Sequence, residues 1–155
     1  MIRPAAIEDA PAICHLIRHL AKHARLEHEV AFDERQLREH LFGPRPWAEA
    51  LVAEEAGEAV GFALFFHNYS TFAGKPGLYL EDLFVEPMYR GRGHGKALFQ
   101  AVVRLALERG CGRLEWSVLD WNEPAIRFYR SLGARPLDDA TIYRLAGESL
   151  ADAAK

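Results

Sequence analysis

The sequence has few cysteines, no long apolar run and no excess of basic charge. Its 155 residues include only two cysteines, Cys14 and Cys111, so no disulfide framework is expected and a reducing, cytoplasmic location is predicted. The most apolar stretch, residues 59–80, contains His67 and Pro76, so we predict no membrane-spanning helix and no membrane partner. Lys and Arg number 19 against 22 Asp and Glu, which argues against a nucleic-acid partner.

Length and composition predict a single domain over residues 1–155, because half of the residues are apolar and 26% are charged. Hydrophobic periodicity and turn residues place strands at 2–4, 48–55, 59–69, 78–85, 114–119 and 141–145. They place helices at 7–23, 33–43, 96–109 and 123–132. This order predicts an α+β sandwich with a mixed, mostly antiparallel central sheet flanked by helices.

A glycine-rich segment, Tyr89–Lys96, lies between the strand ending at Val85 and the following helix. Its glycines alternate at positions 91, 93 and 95, and they let the main chain approach a ligand closely. Unpaired N–H groups at the start of the helix favour an anion such as a diphosphate, and Arg90, Arg92 and Lys96 add positive charge. The alternative interpretation is a flexible basic turn.

Two common nucleotide loops do not fit this segment. The glycine spacing departs from G-x-G-x-x-G, and Gly95-Lys96 is followed by Ala97 where a phosphate loop needs Ser or Thr. A nucleotide-binding oxidoreductase stays open as an alternative, because Glu115 follows Gly95 by twenty residues.

The segment from Arg90 to Gly95 resembles the signature Arg/Gln-x-x-Gly-x-Gly/Ala of the GNAT superfamily of N-acetyltransferases. Further motifs are similar to its spermidine/spermine (diamine) branch: Ile2–Ala5, Tyr79–Val85, Trp121–Pro124 and Phe128-Tyr129. The resemblance covers residues 2–145. It implies the GNAT fold, acetyl-CoA as co-substrate, direct acetyl transfer to a small-molecule primary amine, and a homodimer with contacts from residues 141–155.

The resemblance also implies which residues act. Glu81 is the candidate base for the amine, and Tyr129 is the candidate acid for the leaving thiolate. The implied coenzyme-binding set is Leu83, Phe84, Val85, Arg90, Gly91, Arg92, Gly93, His94, Gly95, Lys96, Asn122, Glu123, Pro124, Ala125 and Tyr129. The implied amine-binding set is Glu81, Asp82, Glu27, Glu115 and Trp116.

The residues themselves leave alternatives open. Glu81 and Asp82 are consecutive in a strand, so we expect them on opposite sheet faces, and either could be a charge that reaches solvent. On periodicity alone, Tyr129 fits an apolar packing stripe. The acceptor stays open among a diamine, a polyamine, a lysine-like amino acid, an antibiotic and a protein terminus.

The sequence departs from the diamine branch at several positions. Polyamine-specific relatives carry carboxylates where this chain has Ala24, His28 and Ser70, which weakens a polyamine assignment. His94 replaces an aliphatic residue, and we expect its ring to face solvent. A catalytically silent module that binds acyl-CoA is therefore a second hypothesis.

Three histidines, His15, His19 and His23, are four residues apart on the first predicted helix. This spacing is able to chelate a divalent metal. No further ligand stands at a matching position, so we expect no metal and interpret the histidines as a solvated or cleft-facing stripe.

Overall fold

The structure is a computed structural model that describes all residues, Met1–Lys155. Its contacts divide the chain into two compact units, residues 1–117 and 118–155, which are described in turn. The single domain over residues 1–155 stays a prediction. None of the helices combines the length and the apolar character needed to cross a membrane.

The first unit is built on a five-stranded sheet whose strands lie in chain order. Its elements are β1 (Ile2–Pro4), α1 (Ala10–His23), α2 (Glu34–Phe42), β2 (Glu49–Glu55), β3 (Glu58–Ser70), β4 (Lys75–Val85), α3 (His94–Glu108) and β5 (Leu114–Trp116). Neighbours from β1 to β4 are antiparallel, whereas β5 runs parallel to β4. The predicted α+β fold with a mixed, mostly antiparallel sheet is confirmed.

The start of α2 shows how local sequence determines an element. Asp33 Oδ1 accepts a hydrogen bond from the Gln36 backbone N–H at 2.8 Å, and the Gln36 side chain accepts one from the Asp33 N–H at 3.2 Å. This reciprocal cap satisfies two N–H groups that lack helical partners. Gly43-Pro44 follows the last helical residue, as the sequence predicts.

The core lies on both faces of the sheet. One face carries a cluster in which α1 and α2 pack on the strands: Ile13, Leu16, Leu41, Ala50, Val52, Phe62 and Phe84. On the other face α3 packs against β3 and β4 through buried residues that include Leu98, Phe99 and Val102. This arrangement places the end of β4 beside the start of α3.

The second unit contains α4 (Glu123–Ser131) and α5 (Glu148–Asp152). The prediction of a strand at residues 141–145 is wrong. Its β-branched and aromatic residues are typical of a strand, but a strand needs a neighbour for its backbone hydrogen bonds, and none pairs with it here. Ile142 and Tyr143 are 84% and 93% exposed.

Two further boundaries differ from the predictions. The strand predicted to begin at residue 78 begins three residues earlier, at Lys75, which pairs with Ser70 of β3. The strand predicted to reach Leu119 ends at Trp116, where its ladder with β4 stops.

Candidate functional site

β4 contains one extra residue, Glu81. Leu64 on β3 pairs with Asp82, whereas the next residue, Phe65, pairs with Leu80. Such a bulge leaves one residue unpaired and redirects the side chains around it. The expectation that Glu81 and Asp82 point to opposite faces assumed an uninterrupted strand, and the bulge removes that assumption.

The bulge coincides with the end of the parallel ladder between β4 and β5. The last pair of that ladder is Leu80 with Trp116, so the edge of β4 from Glu81 to Val85 is not paired with β5. The three predicted coenzyme-binding residues of β4, Leu83, Phe84 and Val85, all lie on this stretch. Phe84 is only 4% exposed and its ring belongs to the core, so it could contact a ligand only through its backbone.

The two carboxylates at the bulge have different environments. Glu81 is exposed, whereas Asp82 is partly buried opposite Leu64 and two residues before Phe84. Burial raises the pKa of Asp82 to about 7, and the charge of Glu81 adds to the rise. Asp82 is therefore the carboxyl group at this position that exchanges a proton near neutral pH.

The glycine segment has the backbone conformation that an anion site requires. Gly91 and Gly93 have φ angles of +78° and +86°, which residues with a Cβ rarely adopt. Gly93 is the N-cap of α3, and no side chain caps the helix there. No atom lies within 4 Å of the Cβ position of either glycine, so the main chain is open to a ligand.

Glu55, the last residue of β2, holds this segment through two contacts. Its Oε1 accepts a hydrogen bond from Arg92 Nη1 at 2.5 Å, and its Oε2 accepts one from His94 Nε2 at 2.8 Å. The bond from His94 is the main cause that lowers the pKa of Glu55, and the bond from Arg92 adds to it. The expectation that His94 faces solvent is wrong, because its side chain is 13% exposed and bound to this carboxylate.

The remaining cations of the segment differ in how they are engaged. Arg90 Nε donates a hydrogen bond to the Val85 carbonyl at 2.8 Å, and its guanidinium lies 5.4 Å from the centre of the Phe84 ring. Arg90 therefore ties the loop to the end of β4. Lys96 is exposed in the first turn of α3, beside the half-buried Gly95.

Two of the predicted amine-binding residues, Glu115 and Trp116, lie on β5 opposite Tyr79 and Leu80, and each has a partner of its own. Glu115 Oε1 lies 3.1 Å from Arg113 Nε and accepts a hydrogen bond from Asn68 Nδ2 at 3.3 Å. Trp116 packs edge-on against Phe99 of α3, with ring centres 5.1 Å apart. Glu27 lies exposed in a short 3-10 turn, Glu27–Glu29.

The second unit carries the predicted acid and its helix. Asn122 Oδ1 accepts a hydrogen bond from the Ala125 N–H at 3.4 Å, which confirms Asn122 as the cap of α4. Glu123 and Pro124 form the first turn of that helix. Burial raises the pKa of Tyr129, so its hydroxyl stays protonated at neutral pH.

Sequence reasoning missed two carboxylates, Glu55 and Glu86. Glu55 is 37 residues from Arg92, and Glu86 is 67 residues from His19, whose Nδ1 lies 3.0 Å from Glu86 Oε2. No local spacing signals either contact. Only the register of β2 with β3, and the position of α1 on the sheet, bring these groups together.

The sequence matches the family described as Acetyltransferase (GNAT) family over residues 14–134. It is 39% identical over 165 aligned residues to a thialysine N-epsilon-acetyltransferase of Bos taurus, and 99% of this chain and 96% of that protein are covered. It is 32% identical to an L-ornithine N5-acetyltransferase of Arabidopsis thaliana, with 96% and 85% covered.

Solved structures share the fold. An integron cassette protein from the mobile metagenome of V. cholerae has a TM-score of 0.83 and 25% identity, covering 100% of this chain and 97% of that one. An aminoglycoside acetyltransferase from a soil metagenomic sample, in complex with sisomicin, has a TM-score of 0.77 at 22% identity, with 94% and 96% covered. The second likeness shows the fold alone.

Proposed function

Because the chain belongs to the GNAT family of acetyltransferases, we propose that it transfers the acetyl group of acetyl-CoA to the primary amine of a lysine-like amino acid or a related small molecule. One observation carries the proposal. The acidic pair Glu81 and Asp82 lies at the bulge where β4 stops pairing with β5, and the end of the same strand leads to an uncapped glycine segment. A proton acceptor and an anion site are thus consecutive along one strand and loop.

The coenzyme would be held at two places in the first unit. N–H groups at the start of α3 would bind the diphosphate, because the segment from Gly91 to Lys96 is open and the helix N-terminus favours negative charge. The pantetheine arm would lie along the β4 edge at Leu83–Val85, in the manner of an added strand. The Val85 carbonyl already accepts from Arg90 Nε, so that residue is expected to contribute its N–H.

The group supplied by acetyl-CoA is an acetyl thioester, and this chain's residues would move the protons. An alkylammonium has an ordinary pKa of ~10.4 and must lose a proton before it attacks the thioester carbon. We assign that proton to the Glu81 and Asp82 pair, in which Asp82 has a pKa of about 7. Asn122, Glu123, Pro124 and Ala125 would add contacts to the coenzyme from the second unit. Tyr129 would then donate its phenolic proton to the departing thiolate.

The acceptor class is supported by charge and by the relatives. A carboxylate pair attracts a terminal ammonium. The two relatives described above act on thialysine and ornithine, each of which ends in a primary amine. Ala24, His28 and Ser70 replace the carboxylates of polyamine-specific relatives, so a shorter acceptor with one terminal amine is preferred over a polyamine.

The test measures thiol release from acetyl-CoA with a panel of thialysine, lysine, ornithine, spermidine and an aminoglycoside. We expect the lysine-like amino acids to be acetylated with the highest kcat/KM. Calorimetry with coenzyme A alone is run in parallel. Binding without acetylation of any amine would favour a silent acyl-CoA-binding module, and an absence of binding would overturn both functions.

The oligomeric state, the cellular location and the domain organisation belong to the same proposal. A homodimer is supported by the exposed apolar residues Ile142 and Tyr143, and sedimentation as a monomer would contradict it. A cytoplasmic location is supported by two free cysteines, Cys14 and Cys111. A single domain is supported by the family match, which spans both units.

A further inference from the structure

Two histidines of α1 meet a carboxylate that follows β4. His15 and His19 are one helical turn apart, and Glu86 stands directly after Val85. Their nearest ligand atoms all lie within 4.8 Å of one another. His19 Nδ1 is 2.8 Å from Glu86 Oε1, and His15 Nε2 is 3.7 Å from the same oxygen. We call these three residues the His-Glu cluster.

The Glu86 carboxylate is held in place but is not fully satisfied. His19 Nδ1 lies 3.0 Å from Oε2 with hydrogen-bond geometry, whereas it lies 2.8 Å from the buried Oε1 without that geometry. The Glu86 backbone is fixed by bonds to Val60 and Tyr89, each 2.9 Å long. A buried carboxylate oxygen without a donor is costly unless a cation compensates for its charge.

We propose that the His-Glu cluster binds one divalent transition-metal ion such as Zn²⁺. Imidazole nitrogen and carboxylate oxygen are ligands that zinc takes at about 2.0–2.2 Å, and two histidines with one glutamate form a known ligand set that leaves a fourth position for water. Ligands of a tetrahedral ion at those bond lengths are about 3.3 Å apart. The two separations from Glu86 Oε1, 2.8 Å and 3.7 Å, bracket that value, and no two of the ligand atoms are more than 4.8 Å apart, so side-chain rotations would bring the ligands onto one ion.

The His-Glu cluster is accessible from solvent, and a bound ion would link two elements of the fold. The side chains of His15 and His19 are 65% and 43% exposed, and His19 and Glu86 line a surface cavity of about 420 Å³. Bound metal would join α1 to Glu86, which follows β4 and precedes the glycine segment. The sequence did not predict this site because its third ligand is 67 residues away from His19.

Calorimetric titration of the untagged, metal-free protein with Zn²⁺ tests the proposal. A parallel titration with Co²⁺ measures the visible absorption of the bound ion. We expect one equivalent to bind, and the variants His15→Gln, His19→Gln and Glu86→Gln each to weaken binding about tenfold or more. His40→Gln, an exposed histidine of α2 outside the cluster, is the matched control and should bind as tightly as the parent protein.

The proposal is overturned if no stoichiometric binding occurs, or if His15→Gln and His40→Gln have the same affinity. His15 is largely exposed, so its variant should fold even if Glu86→Gln does not. The measurement needs neither acetyl-CoA nor an amine, and its outcome is independent of the proposed acetyltransferase activity.

Discussion

Glu55 at the end of β2 accepts a hydrogen bond from His94, the first residue of α3, at 2.8 Å. The same carboxylate accepts a hydrogen bond from Arg92, one residue before the helix N-cap. It therefore holds the glycine segment in position. It also places negative charge beside the proposed diphosphate site, where it competes with the ligand for Arg92.

The variant Glu55→Gln should bind coenzyme A more tightly at low ionic strength. The amide keeps a hydrogen-bonding oxygen for His94 but removes the charge that competes for Arg92. We expect the Kd to fall about two- to fivefold, and the difference to shrink in high salt because the groups are partly exposed. Calorimetry at two salt concentrations measures this.

Glu58→Gln is the matched control, because Glu58 pairs with Glu55 across the β2–β3 hairpin and loses the same charge. If both variants change the Kd equally, the effect is long-range charge and not the contact with Arg92. If Glu55→Gln instead binds coenzyme A more weakly, the main effect of Glu55 is to hold the glycine segment in position.

The variant Asp82→Asn should gain stability while it loses activity. The raised pKa means that the folded state prefers the neutral carboxyl. The stability contributed by protonated Asp82 is fully present below its ordinary pKa of 3.8, and is lost as the pH rises through about 7. A neutral amide avoids that loss. The gain should approach at most about 4 kcal/mol above neutral pH and vanish in acid, as measured by urea denaturation.

Glu81→Gln separates the two carboxylates, because Glu81 is exposed and its variant should leave stability nearly unchanged. If Asp82 accepts the amine proton, the rise of kcat/KM through about pH 7 disappears in Asp82→Asn and survives in Glu81→Gln. The reverse pattern would identify Glu81 as the base.

Much of the fold could be predicted because its signals are local. Periodicity predicted α1 and α3, the helix predicted at residues 33–43 contains α2, and the motifs around Arg90 identified the family, which the comparisons confirm. The prediction of a strand at Thr141–Leu145 failed for the converse reason. The strand propensity of its residues is a local property, whereas a strand exists only with a partner.

The candidate site was less predictable because its details depend on register. An extra residue at Glu81 is visible only once β3 and β4 are paired, and it is this bulge that separates the environments of Glu81 and Asp82. The partners of His94 and His19 come from other elements of the chain. Sequence spacing therefore predicted candidate segments but not the contacts that the structure shows within them.

Tyr129→Phe should lower kcat about 10²-fold and leave the affinity for coenzyme A unchanged. Burial raises the pKa of Tyr129, so the phenol remains a proton donor across the neutral range, and phenylalanine removes only the hydroxyl group that carries this proton. Stopped-flow or steady-state thiol release measures kcat. Tyr143→Phe, at a position 93% exposed, is the control. A kcat within twofold of the parent value would assign Tyr129 to packing.

Gly93→Ala should weaken coenzyme binding more than its effect on stability explains. At a φ of +86° an alanine costs about 1–2 kcal/mol of backbone strain, so the free energy of unfolding should fall by that amount. The added methyl group would also project into the open space beside the N-terminus of α3, where the diphosphate is proposed to lie. We expect the Kd for coenzyme A to rise about tenfold or more.

Gly74→Ala separates strain from ligand contact. Gly74 has a φ of +64° and likewise has no atom within 4 Å of its Cβ position, but it lies in the hairpin between β3 and β4. Both variants should therefore lose similar stability in urea denaturation. Only Gly93→Ala should lose affinity for coenzyme A, because only that residue precedes the first turn of α3. Equal affinity in the two variants would place the diphosphate away from the glycine segment.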